Sequence, residues 1–397
     1  MTDARFIAAV VIAQVLVQIG AFSLPALLPG YMDRWSLSAT EAGWLVGAFF
    51  AAYVAAVPIL VALTDRVPAR RVYMVGAGAT ALSHLGFALV ADGFWSALPL
   101  RALAGIGWAG CYMPGLKVLA DRLEGAAQSR AVSWHAAGVG IAGAVSFAVA
   151  GALDAAAGAE AAFLFGGACA VAAFAIGVAV MPASVTHRAA PASALLDFRP
   201  VLRNRAAMAW IAGYTVHTWE LGALRAWGVT FLTAAILLHG APGWLPGANG
   251  LFTAAGLLGV AVSVFGNETA QRFGRARVVA AAMAAAALLS VVAGFSVLVS
   301  APLAALCVLA WNAAIYLDSS ALTAGTVQAA ERERRGATMG LHSMCGYAGG
   351  FLGPIGVGVA LDLAGPDAVL RWALAFGHLA PVTLLGFWLV RRLGRPS

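Results

Sequence analysis

Twelve stretches of the chain are each long and apolar enough to cross a lipid bilayer as a helix. Such a helix needs about 20 apolar residues to span the roughly 30 Å hydrocarbon core. Because backbone polar groups find no partners in lipid, a spanning segment must be a helix or part of a closed barrel. The stretches are longer than barrel strands and lack alternation. Helices are therefore predicted at 6–30, 42–63, 72–91, 95–119, 131–153, 159–181, 207–237, 248–269, 278–299, 301–326, 337–361 and 368–390.

The composition agrees with a membrane protein and excludes most soluble classes. Of 397 residues, 62% are apolar and 10% are charged, whereas soluble domains average about 45–50% apolar and about 25% charged. So few charges cannot cover a water-facing surface. The net charge of +7 comes mainly from arginines between the apolar stretches, a placement that suits lipid head groups. Soluble enzymes, disordered chains and nucleic-acid-binding modules are therefore excluded.

The distribution of arginines predicts the orientation. If the N-terminus lies inside, the inner gaps collect nearly all arginines outside the spans, and the outer gaps keep only Arg34 and Arg371. Membrane proteins retain positive charge on the cytoplasmic side. We therefore expect a multi-pass protein of the bacterial inner membrane with both termini in the cytoplasm. The first apolar stretch is too long for a cleaved signal segment, so we expect it to remain as a helix.

The cysteines do not indicate a metal site or a disulfide framework. All four, Cys111, Cys169, Cys307 and Cys345, lie inside apolar stretches without a Cys-x-x-Cys spacing, which is typical of small core residues. The sequence also contains no nucleophile–base set and no phosphate-binding loop. We therefore expect no metal, no cofactor and no enzymatic activity.

The chain shows signs of an internal duplication. His135 and His342 lie 207 positions apart, and Asp154 and Asp362 lie 208 apart. A nearly constant offset in separate regions predicts two parallel repeats, as in one common class of transporters. The longest polar stretch lies between spans six and seven. We therefore predict an N-terminal six-helix bundle at 1–181, a cytoplasmic linker at 182–206 and a C-terminal bundle at 207–397.

Three segments resemble the major facilitator superfamily, and the resemblance extends over the whole chain. They are the loop Leu63-Thr-Asp65-Arg66-Val-Pro-Ala-Arg70-Arg71, its second copy Gln271-Arg272-Phe-Gly274-Arg275-Ala-Arg277, and span four, Arg101-Ala-Leu-Ala-Gly105-Ile-Gly107-Trp-Ala-Gly110. The resemblance implies an all-α fold of two six-helix bundles related by a pseudo-two-fold axis. It also implies a cytoplasmic latch formed by Asp65, Arg66, Arg70, Arg71, Arg272, Arg275 and Arg277.

The second copy of the loop departs from the family pattern, and Arg101 in span four has a second interpretation. The second loop copy has Gln271 where the family pattern has an aspartate, so the latch is expected to be asymmetric. The resemblance links Arg101 to proton-coupled transport, and the alternative is that Arg101 snorkels to the outer surface. Gly105, Gly107 and Gly110 form a GxGxxG pattern, but inside a membrane helix such glycines allow close helix contacts.

Two predicted spans carry acids where hydrocarbon is expected. An ionisable side chain at the bilayer centre costs at least about 2.5–3.5 kcal/mol. At 1.5 Å per residue, His217 and Glu220 lie roughly 15 Å and 20 Å from the inner end of span seven, and three residues apart they share one face. Asp318 lies in span ten. We expect a water-filled cleft to reach both carboxyls. The structural alternative is that each carboxyl is a buried partner of a neighbouring helix.

These residues define a predicted transport site. The predicted proton-coupling residues are Glu220, Asp318, His217 as the neighbour that tunes Glu220, and Arg101. The predicted substrate contacts are Gln14, Gln18, Tyr112, Tyr214, Arg225, Trp311 and Asn312. The alternative to substrate contact for Arg225 is that its side chain snorkels to the outer surface. His342 could pair with Asp318. His135 is expected at the interface or in the latch.

The predicted function is a monomeric secondary transporter that moves a small organic solute by alternating access, coupled to protons. Its partners are then the solute, protons and the lipid bilayer. One alternative is a pump of the same fold that expels drugs or other lipophilic compounds. Another is a membrane sensor without flux.

Overall fold

The computed structural model describes residues 2–64, 66–183, 198–365 and 368–394, and this part of the chain is almost entirely helical, without a strand. The helices are α1 (Asp3–Gln18), α2 (Ser23–Trp35), α3 (Ala39–Leu63), α4 (Ala69–Val90), α5 (Phe94–Arg122), α6 (Gly125–Ala157), α7 (Ala159–Val180), α8 (Arg199–Arg203), α9 (Arg205–His239), α10 (Ala248–Phe273), α11 (Arg275–Ser296), α12 (Ala301–Ala329), α13 (Arg335–Ala364), α14 (Ala368–Gly377) and α15 (Leu379–Leu393). The predicted all-helical membrane fold is confirmed.

Each predicted span coincides with one helix or two consecutive helices. Eleven segments within the described ranges are long and apolar enough to cross a membrane. The first, Asp3–Trp35, joins α1 and α2, and the last, Leu370–Leu393, joins most of α14 to α15. The remaining predicted span, 95–119, lies within α5, which is helical over 29 residues but too polar to be counted with the others.

The chain divides into two compact units. The first comprises Met1–Leu27 and Ala48–Ala192, and the second comprises Leu28–Gly47 and Ser193–Ser397. This division differs from the predicted bundles because residues 28–47 belong to the second unit. Most of the predicted linker, residues 184–197, lies outside the described residues, and the two-bundle boundaries remain a prediction.

The start of α3 is held in the second unit by Asp362, near the end of α13. The two carboxylate oxygens of Asp362 accept hydrogen bonds from the backbone N–H groups of Ala39, at 2.9 Å, and Thr40, at 2.7 Å. A carboxylate satisfies the free donors of a helix N-terminus and complements its dipole. Gly358 permits the approach, since an added Cβ would lie 2.3 Å from the Ala39 carbonyl oxygen.

Small residues also allow close packing inside the first unit. A Cβ added at Gly107 on α5 would lie 2.2 Å from Thr80 Oγ1 on α4, and one at Gly110 would lie 2.7 Å from the Gly76 Cα. These glycines therefore act in helix packing, as predicted for a GxGxxG pattern within a membrane helix.

In the second unit, α9 and α13 pack through glycines of α13. An added Cβ at Gly349 would lie 2.2 Å from the Thr215 carbonyl oxygen, and one at Gly353 would lie 2.1 Å from that of Trp219. This contact positions α9, which carries both His217 and Glu220.

We expect Gly349→Ala to destabilise the protein, because the new methyl group would force α9 and α13 apart. Overpacking of this kind typically costs about 1–3 kcal/mol. The measurement is the apparent unfolding temperature of the purified protein in detergent. The matched control is Gly78→Ala on α4, where an added Cβ meets no atom within 4 Å. Equal unfolding temperatures for the two variants would show that the α9–α13 contact is not tight.

Candidate functional site

Glu220 lies near the middle of α9 and is 3% exposed. Its carboxyl oxygens accept hydrogen bonds from two other helices of the second unit. Trp311 Nε1 on α12 donates to Oε1 at 2.6 Å, and Thr383 Oγ1 on α15 donates to Oε2 at 3.1 Å. The Thr383 hydroxyl is the kind of partner that the structural alternative for Glu220 predicts. Glu220 therefore joins three helices.

His217 pairs with Asp318 and not with Glu220. His217 Nδ1 on α9 lies 2.7 Å from Asp318 Oδ1 on α12, and both residues are 3% exposed. The sequence led us to expect the imidazole beside Glu220, because the two residues share a helix face. The prediction was wrong because Asp318 on the neighbouring helix provides a closer partner than a residue one turn along α9.

Both carboxyls are buried, since Glu220 and Asp318 are each 3% exposed, and a water-filled cleft that reaches them remains a prediction. Within the described residues, neither Glu220 nor Asp318 forms an ion pair with an arginine or a lysine. A buried carboxylate without a compensating positive charge is costly. The two carboxyls and the imidazole therefore form a buried group whose net charge depends on bound protons.

Tyr214 extends this group along α9. Its ring stacks on the ring of His342 from α13, with centroids 3.9 Å apart, and on that of His217 at 5.6 Å. His342 Nδ1 lies 3.1 Å from Thr326 Oγ1. The suggested pairing of His342 with Asp318 is not formed. The ring nitrogens of His342 lie instead within hydrogen-bonding distance of threonine hydroxyls on α12.

Three predicted substrate contacts of the second unit are engaged with protein groups. Arg225 Nη2 donates to the Tyr316 hydroxyl, and its half-buried side chain does not snorkel to an outer surface. Asn312 Nδ2 donates to the Ala255 carbonyl oxygen at 2.6 Å. Trp311 is fully buried against Glu220. Binding of a solute to these side chains would require them to exchange partners.

In the first unit, Gln14 and Gln18 are buried without hydrogen-bond partners. They are 0% and 1% exposed, and neither side-chain amide, in its oxygen or its nitrogen, has a partner within the described residues. Leaving a buried polar group unsatisfied costs about 1–3 kcal/mol. The unpartnered amides on α1 are therefore open to hydrogen bonds from another polar group, and their contact with the solute remains a prediction.

Two further polar side chains lie beside Gln14. A Cβ added at Gly115 on α5 would lie 3.2 Å from Gln14 Oε1, 3.3 Å from His135 Nε2 and 3.5 Å from the ring of Tyr73. The His135 Nε2 and the Tyr73 hydroxyl are also buried without partners in the described chain. Tyr112 stacks on His135 with centroids 5.6 Å apart. We call Gln14, Gln18, Tyr73 and His135 the amide–imidazole cluster.

Sequence reasoning missed His135 and Tyr73 as members of this cluster. His135 is 1% exposed, so its expected place at the interface or in the latch is wrong. The available signal was the internal duplication, which pairs His135 with His342. Tyr73 gives no comparable signal, since it follows an arginine pair at the start of a span and resembles an interfacial aromatic residue.

Arg101 on α5 is buried at 2% exposure, and its guanidinium lies 5.3 Å above the ring of Phe49. The snorkelling alternative is therefore wrong. A cation over an aromatic face is stabilised by the ring quadrupole. Its role in proton coupling remains a prediction.

The predicted latch residues differ in their surroundings. Arg70 Nη2 donates to the Val178 carbonyl oxygen at 2.8 Å. Arg275 Nη1 donates to Asn267 Oδ1 at 3.0 Å and to the Ala321 carbonyl oxygen at 3.1 Å. These two arginines therefore bind carbonyl and amide oxygens of their own units. Asp65 lies outside the described residues, and the remaining members are exposed, namely Arg66, Arg71, Arg272 and Arg277.

Metal ligands and reactive thiols do not define another site in the described part of the chain. No three His, Cys, Asp or Glu side chains there are close enough to hold a metal ion. The four cysteines are free, and Cys111, Cys169 and Cys307 are buried.

Comparison with known proteins gives one family and several related folds. The model of the Major Facilitator Superfamily matches residues 10–354. A bacterial homolog of the human lysosomal transporter Spinster has a TM-score of 0.79 and 15% identity, covering 99% of this chain and 98% of that one. The nucleoside transporter NupG has a TM-score of 0.77 and 13% identity, covering 99% and 100%. The human organic anion transporter TETRAN has a TM-score of 0.65 and 18% identity, covering 98% of this chain and 100% of that one. No curated protein sequence matches significantly.

Proposed function

Because the chain belongs to the Major Facilitator Superfamily, we propose that it is a secondary transporter that couples the uptake of a small neutral polar solute to protons. The family and the related folds make the chain a multi-pass membrane transporter of small molecules and not an enzyme. Proton coupling, the class of solute and the direction of movement are proposals.

The buried site around Glu220 carries the proposal of proton coupling. Two carboxyls and one imidazole lie together without a compensating arginine or lysine in the described residues, so the charge of the site depends on protons. Carboxyls and histidines within membrane helices commonly mark proton pathways. In this proposal Glu220 gains and loses the transported proton, and His217 and Asp318 form the neighbouring pair.

Alternating access supplies the rest of the mechanism. Both carboxyls are enclosed in this conformation, so the cycle includes another conformation in which water reaches Glu220. The hydrogen bonds from Trp311 to Oε1 and from Thr383 to Oε2 are the contacts that change when the carboxyl is protonated, because the oxygen that gains the proton becomes a donor. The protein is proposed to act as a monomer in a bacterial inner membrane, with both termini in the cytoplasm.

The amide–imidazole cluster supports a neutral solute. Its free groups are amide oxygens, amide N–H groups, a phenol and an imidazole, which together donate and accept hydrogen bonds. A site of this composition suits a solute with several hydroxyl, amide or ring-nitrogen groups and no fixed charge. Nucleosides belong to this class, and the fold-related NupG is a nucleoside transporter. They are the first compounds to test.

The test is uptake into proteoliposomes that contain the purified protein. Thermal-shift screening of nucleosides and other neutral metabolites selects the solute. We expect its accumulation above the external concentration when the outer solution is acidic, and loss of accumulation when a protonophore collapses the gradient.

Other outcomes would contradict the proposal. Downhill flux that ignores the pH gradient would reject proton coupling. Transport of cationic dyes in place of neutral solutes would favour the lipophilic efflux pump. Specific binding without any flux would favour the sensor.

A further inference from the structure

One end of the second unit contains a cavity of about 830 Å³, a size typical of small-ligand sites. It lies where α9, α11, α12 and α15 meet, at the end of the helices that carries most of the arginines. Among the described residues that line it, the charged ones are Arg275, Arg277 and Arg391, and none is Asp or Glu. Nothing in the proposed transport cycle uses this cavity.

Two of the three arginines are accessible to an anion, and the third is held by protein groups. Arg277 and Arg391 are exposed, and within the described ranges none of the three forms an ion pair with a carboxylate. Arg275 is fixed by its bonds to Asn267 and to α12, and its buried Nε has no hydrogen-bond partner there. The guanidinium of Arg391 is held 5.6 Å above the ring of Phe387, which also lines the cavity.

The backbone adds further donors. Gly274, with φ of +93°, lines the cavity, immediately precedes the 22-residue helix α11 as its N-cap residue, and has no side chain that could cap the helix. The first N–H groups of a helix lack intrahelical partners, and together with the dipole they favour negative charge. The backbone donors and the guanidinium groups thus point to the same kind of ligand.

We propose that this cavity binds a phosphate group, either in the head group of an anionic phospholipid or as free inorganic phosphate. Arginine binds phosphate oxygens through two parallel hydrogen bonds, and basic pockets between membrane helices bind anionic head groups. The same cavity is lined by Trp210, Phe273 and Phe387, and Phe273 is 62% exposed. This apolar side suits the glycerol and acyl part of a lipid.

The experiment uses the purified full-length protein and two probes. Native mass spectrometry with equal amounts of phosphatidylglycerol and phosphatidylcholine measures lipid preference. Thermal shift with inorganic phosphate, against chloride at equal ionic strength, measures binding of the free anion. We expect phosphatidylglycerol to be retained over phosphatidylcholine, and phosphate binding without that preference would assign the site to the free anion.

Arg277→Gln and Arg391→Gln together are expected to weaken the preferred ligand roughly 25-fold, since each arginine near a membrane surface contributes about fivefold. The matched control is Arg392→Gln. Arg392 neighbours Arg391 but lies over Trp388 and does not line the cavity, so we expect little change. The proposal is overturned if the wild-type protein shows neither preference for phosphatidylglycerol nor binding of phosphate. An equal loss in Arg392→Gln would also overturn it, because binding would then follow general surface charge.

Discussion

Glu220→Gln is expected to reduce proton-driven accumulation of the solute to the equilibrium level while leaving solute exchange intact. Glutamine has nearly the same shape as glutamate and carries no proton that can be released. Its amide oxygen can still accept the hydrogen bond from Trp311, and its amide nitrogen can donate to the Thr383 hydroxyl. The variant therefore preserves the contacts of α9 and removes only the titration.

This design separates the two roles that the geometry allows for Glu220. If the carboxyl were only a buried structural partner, the isosteric amide would retain both the fold and pH-driven uptake. If it carries the proton, exchange persists because the solute site is unchanged, whereas uphill movement stops. The measurement compares uptake driven by an acidic exterior with exchange of labelled solute at equal pH, in the same proteoliposomes.

Two further variants serve as controls. Glu268→Gln makes the same chemical change at an exposed position on α10, and we expect wild-type accumulation. Thr383→Val keeps the carboxyl and removes one donor, so coupling should survive with a changed pH dependence. Full proton-driven accumulation in Glu220→Gln would assign coupling to another group.

The sequence predicts the helices well because their formation depends on local properties. A run of about 20 apolar residues has no alternative to a helix in lipid, and glycines such as Gly107 and Gly110 have few uses there besides close packing. The packing of residues 28–47 in the second unit depends on contacts such as that between Asp362 and Thr40. These contacts join residues over 300 positions apart.

The sequence predicts which residues belong to the candidate site but not which of them contact each other. Glu220, Asp318 and His217 stand out because charge is rare in such spans. Their partners depend on the rotation of α9 against α12, which a helix period does not specify, and His217 therefore contacts Asp318 and not Glu220. The same limit explains Asn312, which was expected at the solute and instead bonds to Ala255.

Gln14→Leu is expected to weaken solute binding and to stabilise the empty protein. Leucine has a similar size and no polar atoms. Because the amide of Gln14 is buried without a partner in the described chain, its removal relieves a penalty of about 1–3 kcal/mol. If the solute supplies the missing hydrogen bonds, the same substitution removes them. At 1.4 kcal/mol for each factor of ten, affinity should fall roughly 5- to 150-fold.

The two effects have opposite signs, and this makes the prediction specific. The apparent unfolding temperature without solute should rise, and the additional increase on adding solute should shrink or vanish. The control is Gln128→Leu on α6, because the Gln128 amide already donates to the Ala120 carbonyl oxygen at 2.9 Å. There we expect a loss of stability and unchanged affinity.

A Gln14→Leu variant that is destabilised like Gln128→Leu and still binds the solute normally would contradict this assignment. The amide would then have a structural function, and the amide–imidazole cluster would not be the solute site. A variant with unchanged affinity but higher stability would instead indicate that the Gln14 amide is unsatisfied and does not contact the solute. Loss of affinity with a gain of stability requires a ligand that completes the hydrogen bonds of a preformed polar site. That combination would connect the neutral solute to the first unit, while the proton is bound in the second.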